Sequence, residues 1–150
     1  MAQPRSSTDV PYAGVQHSEA TSWVAWVLLG GIFLVLVGVL HLGVGLVALA
    51  HPEALAGTRA DLLLPVGLSA LAWTHVLAGF VLLVVGVGLV RGLPWARVGA
   101  IVLGTVAALV NFAFLNIYPV WSVAALALII VVIYAVAAHG AEVADAYGDS

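Results

Sequence analysis

Two histidines, His41 and His75, are the residues of this 150-residue chain whose type and spacing could support chemistry inside an apolar environment. Each is followed by a glycine four positions later, Gly45 and Gly79, and each lies in a long charge-free stretch. Two neutral imidazoles from facing antiparallel helices can hold a haem iron axially. The pattern therefore predicts one candidate cofactor site, a haem b centre that would make the chain a small redox protein.

Asn111 and Tyr118 extend this candidate site into a polar cluster near one end of the helices. Counted from the ends of their predicted helices, the imidazoles of His41 and His75 differ in depth by roughly 5 Å. Polar side chains at such depth usually face the interior of a helix bundle and need partners. We expect a contact between the two histidines, or of either one with Asn111. Three interpretations stay open: hydrogen bonds between helices, haem ligation, and a pocket for a small solute or lipid.

The rest of the chain excludes most other chemistry. It has no cysteine, and hence no disulfide, thiolate metal site or iron–sulfur cluster. We find no Ser–His–Asp set, no paired carboxylates and no phosphate-binding loop, so we expect neither an enzyme nor a metal site. There is no lysine, and the net charge of −3 argues against binding nucleic acid.

The composition places these residues in a membrane. Apolar residues make up 64% of the chain and charged residues only 7%, whereas a soluble domain carries about 25% charged residues. A helix needs about 20 apolar residues to cross the hydrocarbon of a bilayer. The charge-free stretches predict an all-α fold, an antiparallel bundle of four transmembrane helices over residues 23–50, 69–90, 94–116 and 119–139.

Capping and proline residues indicate where these helices begin. Ser69 is the expected N-cap of the second helix, while Pro94 and Pro119 begin the third and the fourth. We expect a flexible cytoplasmic tail over residues 1–22, a four-helix transmembrane domain over 23–140 and a short acidic cytoplasmic tail over 141–150.

The arginines predict the orientation of the bundle. Arg91 lies between the second and third helices, Arg97 lies in the first turn of the third, and Arg5 lies in the N-terminal tail. Only Arg59 lies on the opposite side, so the positive-inside rule places both termini in the cytoplasm. We therefore expect a multi-pass protein of the cell (inner or plasma) membrane, whose partners are the lipid bilayer and a second copy or another membrane subunit.

Small residues predict how the helices pack. Gly31, Gly38 and Gly45 recur every seven residues on one face of the first helix, and His41 falls on that face. Membrane helices associate through close packing at such small residues. We expect this face to meet the second helix, where Gly79 is followed by another glycine seven residues later.

Several motifs resemble those of an uncharacterised family of short four-helix membrane proteins from actinobacteria. They are Trp73-Thr74-His75, the Trp-Ala-Arg motif at Trp95-Ala96-Arg97, Asn111-Phe112 and the Tyr-Pro-x-Trp-Ser turn at Tyr118-Pro119-Val120-Trp121-Ser122. The resemblance covers residues 23–140. It implies the same fold and location, and it adds no chemistry. In that family the first helix often carries asparagine at the position of His41, which disfavours paired histidine ligation. The expected function is that of a structural or accessory subunit or a small hydrophobic-ligand binder.

Overall fold

Four long apolar helices and two short ones make up the part of the chain that the computed structural model describes, residues 21–55 and 67–146. The long helices are α1 (Trp23–Ala50), α2 (Leu68–Val90), α3 (Pro94–Ala113) and α4 (Pro119–His139). The short ones are a 3₁₀ helix (Pro52–Leu55) and α5 (Ala141–Ala146). Each of α1 to α4 is long and apolar enough to cross a membrane, which confirms the predicted all-α bundle of four helices.

Two of the predicted helix limits differ from the structure, by one residue and by three. Helix α2 begins at Leu68, with Gly67 at the N-cap and no side-chain cap, so Ser69 is not its cap. Helix α3 ends at Ala113 instead of residue 116. The residue before a proline is disfavoured in helical conformation, so Tyr118 adopts φ −128° and ψ 64°. Helix α3 has already ended before this residue, with Phe114 at its C-cap.

The predicted C-terminal tail contains a helical segment. Helix α5 follows Gly140, and its Val143 is fully buried in the main apolar cluster of the bundle. This packing explains why residues 141–146 are helical despite their small number. Residues 1–20 and 147–150, which the predicted tails include, lie outside the described residues, as do Arg5 and Arg59.

Helices α1 and α2 pack backbone against backbone along the predicted glycine face. A Cβ atom added at Gly38 would lie 2.9 Å from the carbonyl oxygen of Gly79, and one at Gly45 would lie 2.7 Å from the amide nitrogen of Val76. A Cβ atom at Gly31 would lie 3.2 Å from the carbonyl oxygen of Gly86. Only glycine permits this approach, so the seven-residue spacing sets both the distance and the register of the two helices.

The two ends of the bundle differ in packing. We call the end that carries Thr21, the α2–α3 turn and α5 the terminal end, and the other the far end. At the terminal end, buried side chains from all five α-helices form one cluster: Val27, Val85, Leu89, Ala96, Ala100, Ala135, Val136 and Val143. At the far end the buried cluster of the described residues consists of Ala48 and Ala72, which join α1 to α2 alone. Helices α3 and α4 are largely exposed there, as Trp121 shows with 73% of its surface accessible.

The α2–α3 turn depends on one residue with unusual backbone geometry. Gly92 has φ +73°, in the left-handed region that favours glycine at the end of a helix. The amide of Leu93 donates to the carbonyl of Gly88, which closes the turn. A Cβ atom at Gly92 would also lie 2.8 Å from the amide nitrogen of Ala144. The turn therefore fixes α5 against the bundle as well as joining two spans.

Candidate functional site

His41 and His75 lie side by side between α1 and α2. Their ring centroids are 5.4 Å apart and their planes differ by 24°, so the rings stack. Both residues are half-buried. His41 lies one turn towards the far end from Gly38 and one turn before Gly45, whereas His75 is next to Val76 and one turn from Gly79. The close packing of the two backbones around the pair fixes the register of α1 and α2.

Each imidazole is tied to its own helix through Nδ1. His41 Nδ1 donates to the carbonyl oxygen of Val37 at 3.0 Å, and His75 Nδ1 donates to that of Leu71 at 2.9 Å. A carbonyl oxygen can only accept, so Nδ1 carries the proton in both rings. The neutral tautomer then leaves a lone pair on each Nε2. Two hydrogen-bond acceptors thus lie close together inside a helix bundle.

The structure does not join the other two predicted site residues to this pair by hydrogen bonds. Asn111 is half-buried on α3, and its Nδ2 donates to the carbonyl oxygen of Ala107 at 2.9 Å, within its own helix. Tyr118 is exposed in the turn before α4. Among the described residues, no hydrogen bond connects Asn111 or Tyr118 to His41 or His75, and the polar side chains bond within their helices instead of between them.

Sequence reasoning missed a buried polar side chain on α4. Ser122 is completely buried, and its Oγ atom has no hydrogen-bond partner among the described residues. It lies seven residues before Ile129, hence on the same face of α4. In the sequence Ser122 is the last residue of the Tyr-Pro-x-Trp-Ser turn motif, and no pattern there marks its side chain as buried.

An apolar pocket lies between the four long helices, about midway along them. Its volume is about 200 Å³, and every residue that lines it is apolar. The lining residues are Gly30, Phe33, Leu34, Val37, Leu82, Leu89, Ala100, Leu103, Gly104, Ala107, Leu128, Ile129, Val132 and Ile133. Phe33 has 47% of its surface accessible, so the pocket reaches the outer, lipid-facing surface of the bundle beside this ring.

The pocket and the polar residues occupy consecutive layers of the bundle. His41 lies one turn beyond Val37, and Asn111 lies one turn beyond Ala107, both towards the far end. Their side chains bond to the carbonyl oxygens of those two lining residues. One of the three interpretations of the polar cluster was a pocket formed by the cluster itself; the structure shows an apolar pocket with polar side chains at its edge.

A haem group does not fit between the histidines. A porphyrin held between two axial ligands would lie parallel to α1 and α2 and extend by at least one helical turn, about 5.4 Å, from its iron. One turn away on either side, however, the two backbones are already in contact, at Gly38 with Gly79 and at Gly45 with Val76. Haem could enter only if α1 and α2 separated, so we derive no redox chemistry for this pair.

A second polar cluster lies at the terminal end of the bundle. The carboxylate of Glu142 accepts hydrogen bonds from the amide and the hydroxyl of Thr21 at 2.9 and 2.7 Å, and from Nδ1 of His139. The hydrogen bond from the hydroxyl of Thr21, and next the one from His139, lower the pKa of Glu142 to about 2. The ring of His139 also stacks on Trp23 with centroids 5.3 Å apart. These contacts join the first residues of α1 to the end of α4.

No metal centre is evident in the described part of the chain, where no three or more His, Cys, Asp or Glu side chains are grouped. His51 and Glu53 form an exposed pair at 3.2 Å near the 3₁₀ helix. Two such residues two positions apart at a surface are a common ion pair, worth about 0–1 kcal/mol.

A family model described as "Domain of unknown function (DUF7144)" matches residues 26–141. The chain belongs to this family. The match covers α1 from Trp26 onward, all of α2 to α4 and the first residue of α5, hence the whole pocket and the histidine pair. No curated protein and no solved structure matches the chain significantly. Membership of the family confirms the expected uncharacterised family, while an actinobacterial origin stays a prediction.

Proposed function

We propose that this member of the family is a non-enzymatic, multi-pass membrane protein that binds a small apolar molecule in the pocket between its four long helices. The observation that carries the proposal is the pocket itself, with about 200 Å³ of space and a wholly apolar lining. The proposed location is the cell membrane, with both termini cytoplasmic, as the arginine distribution favours.

The size and the apolar lining of the pocket indicate which kind of molecule it binds. An engineered apolar cavity of about 150 Å³ in another protein stays free of water and binds benzene or xenon. The present pocket is somewhat larger, so it suits a single ring with a short alkyl chain or the end of a longer chain. Its open side at Phe33 faces the hydrocarbon of the bilayer, from which such a molecule would enter.

The described residues favour binding over catalysis. The polar side chains nearest the pocket, His41 and Asn111, are each bonded to their own helix, and no acidic residue lies in α1 to α4 to activate a nucleophile. The packing around the histidines also disfavours haem. We therefore propose a ligand binder without a resident cofactor, in which the lipid bilayer is both solvent and source of the ligand.

Filling the pocket provides the test. Ala107 lines it, so Ala107→Leu would add three carbons where the ligand lies. Displacing an equal part of the ligand costs roughly 2 kcal/mol, or about thirtyfold in affinity. The probe is 1-fluoro-4-butylbenzene, whose ¹⁹F resonance distinguishes molecules bound to the protein in nanodiscs from those dissolved in lipid.

The matched control is Ala127→Leu, the same substitution at an exposed position of α4 that does not line the pocket. We expect a saturable bound signal for the wild type and for the control, and a much weaker one for Ala107→Leu. A bound signal that all three proteins share equally, or none in any of them, would overturn the proposal.

A further inference from the structure

We infer that the ligand of this pocket carries a hydrogen-bond donor, such as a hydroxyl group on an apolar ring or chain, which donates to Nε2 of the His41–His75 pair. The inference rests on the proposed function and specifies the substrate class of the same site. It combines three observations: the acceptor character of the two imidazoles, their place at the edge of the pocket, and the rigidity of the helices that carry them.

Both imidazoles present an acceptor and no donor. Their Nδ1–H groups are used by the carbonyl oxygens of Val37 and Leu71, and the neutral rings have only a lone pair left on Nε2. Stacked rings 5.4 Å apart cannot supply a donor to each other. In the part of the chain that the structure describes, no other group donates to either Nε2 atom. A donor from outside the chain would satisfy them.

One of the two acceptors lies next to the pocket. His41 is one turn beyond Val37, which lines the pocket, and its imidazole bonds to the carbonyl oxygen of Val37. His75 stacks on His41 and is two turns from Leu82, the nearest lining residue of α2. A molecule that extends from the pocket towards the far end would therefore meet His41 first. The pocket lining itself offers nothing polar, so selection among apolar ligands falls to the polar side chains at its edge, His41 and Asn111, of which His41 offers only an acceptor.

The helix backbones keep the pair in place for recognition. The close packing of Gly38 against Gly79 and of Gly45 against Val76 fixes the register of α1 and α2. Because the acceptors are already positioned, a ligand loses little free energy in ordering them. A hydroxyl group that replaces no existing protein hydrogen bond should then strengthen binding, whereas a group that can only accept should not.

Three probes of similar shape distinguish a ligand that donates a hydrogen bond from one that only accepts or does neither: 4-butylphenol, 4-butylanisole and butylbenzene. The phenol donates and accepts, the anisole only accepts, and butylbenzene does neither. Their affinities for the wild type in nanodiscs are each expressed relative to partition into protein-free nanodiscs. We expect the phenol to bind about three- to tenfold more tightly than butylbenzene, and the anisole to bind no more tightly than butylbenzene.

Substitutions locate the acceptor. His41→Leu and His75→Leu keep a side chain of similar size without Nε2, and at least one of them should abolish the preference for the phenol. Butylbenzene affinity and the far-UV circular dichroism spectrum should stay unchanged in that variant, which shows that the pocket and the fold remain. His51→Ala removes an exposed imidazole near the same end and should keep the preference.

The outcomes separate the two proposals. Equal relative affinities of the three probes in the wild type, as expected if an ordered water satisfies the histidines, overturn the inference and leave the pocket as a binding site. A preference that persists in both leucine variants overturns it as well. Failure of every probe to bind the wild type overturns the proposed function, and with it the inference.

Discussion

Substitution of Gly79 by alanine measures how closely α1 and α2 are packed. The added Cβ atom would lie 2.6 Å from the amide nitrogen of Leu42 and 2.7 Å from the carbonyl oxygen of Gly38. Ordinary contacts of a Cβ atom begin at 3.4 Å, so the two helices would have to separate by roughly 0.8 Å. Both obstructing atoms belong to the opposite backbone and cannot rotate away, as the end of a side chain could.

The magnitude follows from this geometry and from a matched control. Overpacking an interior costs typically about 1–3 kcal/mol, whereas replacing glycine by alanine inside a helix gains up to about 1 kcal/mol of helix propensity. Gly43→Ala has the same propensity gain, but a Cβ atom there has no neighbour within 4 Å. Because the propensity term cancels, Gly79→Ala should unfold with a free energy about 1–3 kcal/mol lower than that of Gly43→Ala.

The assay is reversible unfolding in mixed micelles with increasing sodium dodecyl sulfate, followed by far-UV circular dichroism. The wild type, Gly79→Ala and Gly43→Ala are compared under the same conditions. Equal free energies of unfolding for the two variants would contradict the predicted destabilisation by a Cβ atom at Gly79. They would mean that the backbones of α1 and α2 are not in contact at Gly79, and that the histidine pair is not held as described.

Two further predictions concern the terminal end. The pKa of Glu142 is lowered from its ordinary value of 4.5 to about 2 by Thr21 and His139, so its stabilising contribution is complete above the ordinary value and is lost as the pH falls towards the lowered one. Unfolding free energies of the wild type and Glu142→Gln, measured from neutral pH down to about pH 3, should converge in acid; parallel curves would contradict the hydrogen bonds to Thr21. A C-terminal alkaline phosphatase fusion, which is active only outside the cytoplasm, should be inactive in cells, and an active fusion would reverse the proposed orientation.

Much of the fold could be predicted because it depends on where charges and prolines fall. The charge-free stretches gave all four long helices, and Pro94 and Pro119 do begin α3 and α4. The errors concern residues with competing tendencies. Ser69 is a favourable cap, but Gly67 already has the extended backbone that an N-cap needs. The end of α3 depends on how far before Pro119 the chain leaves the helix, which the proline alone does not determine.

The candidate site was harder to predict because its geometry depends on contacts between helices. Counting from helix ends gives a difference in depth between the two imidazoles but does not show that their rings stack, which depends on the register that the contact of Gly38 with Gly79 sets. Each Nδ1 bonds within its own helix, a possibility that residue spacing does not distinguish from a bond between helices. The pocket arises from the joint packing of four helices, and neither composition nor periodicity reports the space left between them.

Photolabelling with a short alkyl chain that carries a diazirine tests whether the pocket binds an apolar molecule, since the reagent marks the residues that surround it. We expect labels on residues that line the pocket, such as Leu103, Ala107 and Val132, and their loss when excess butylbenzene is added. Labels confined to exposed residues outside the pocket, such as Val98 and Ile130, and insensitive to butylbenzene would contradict the proposal. They would show that the probe is only dissolved in the lipid around the protein and does not occupy the pocket.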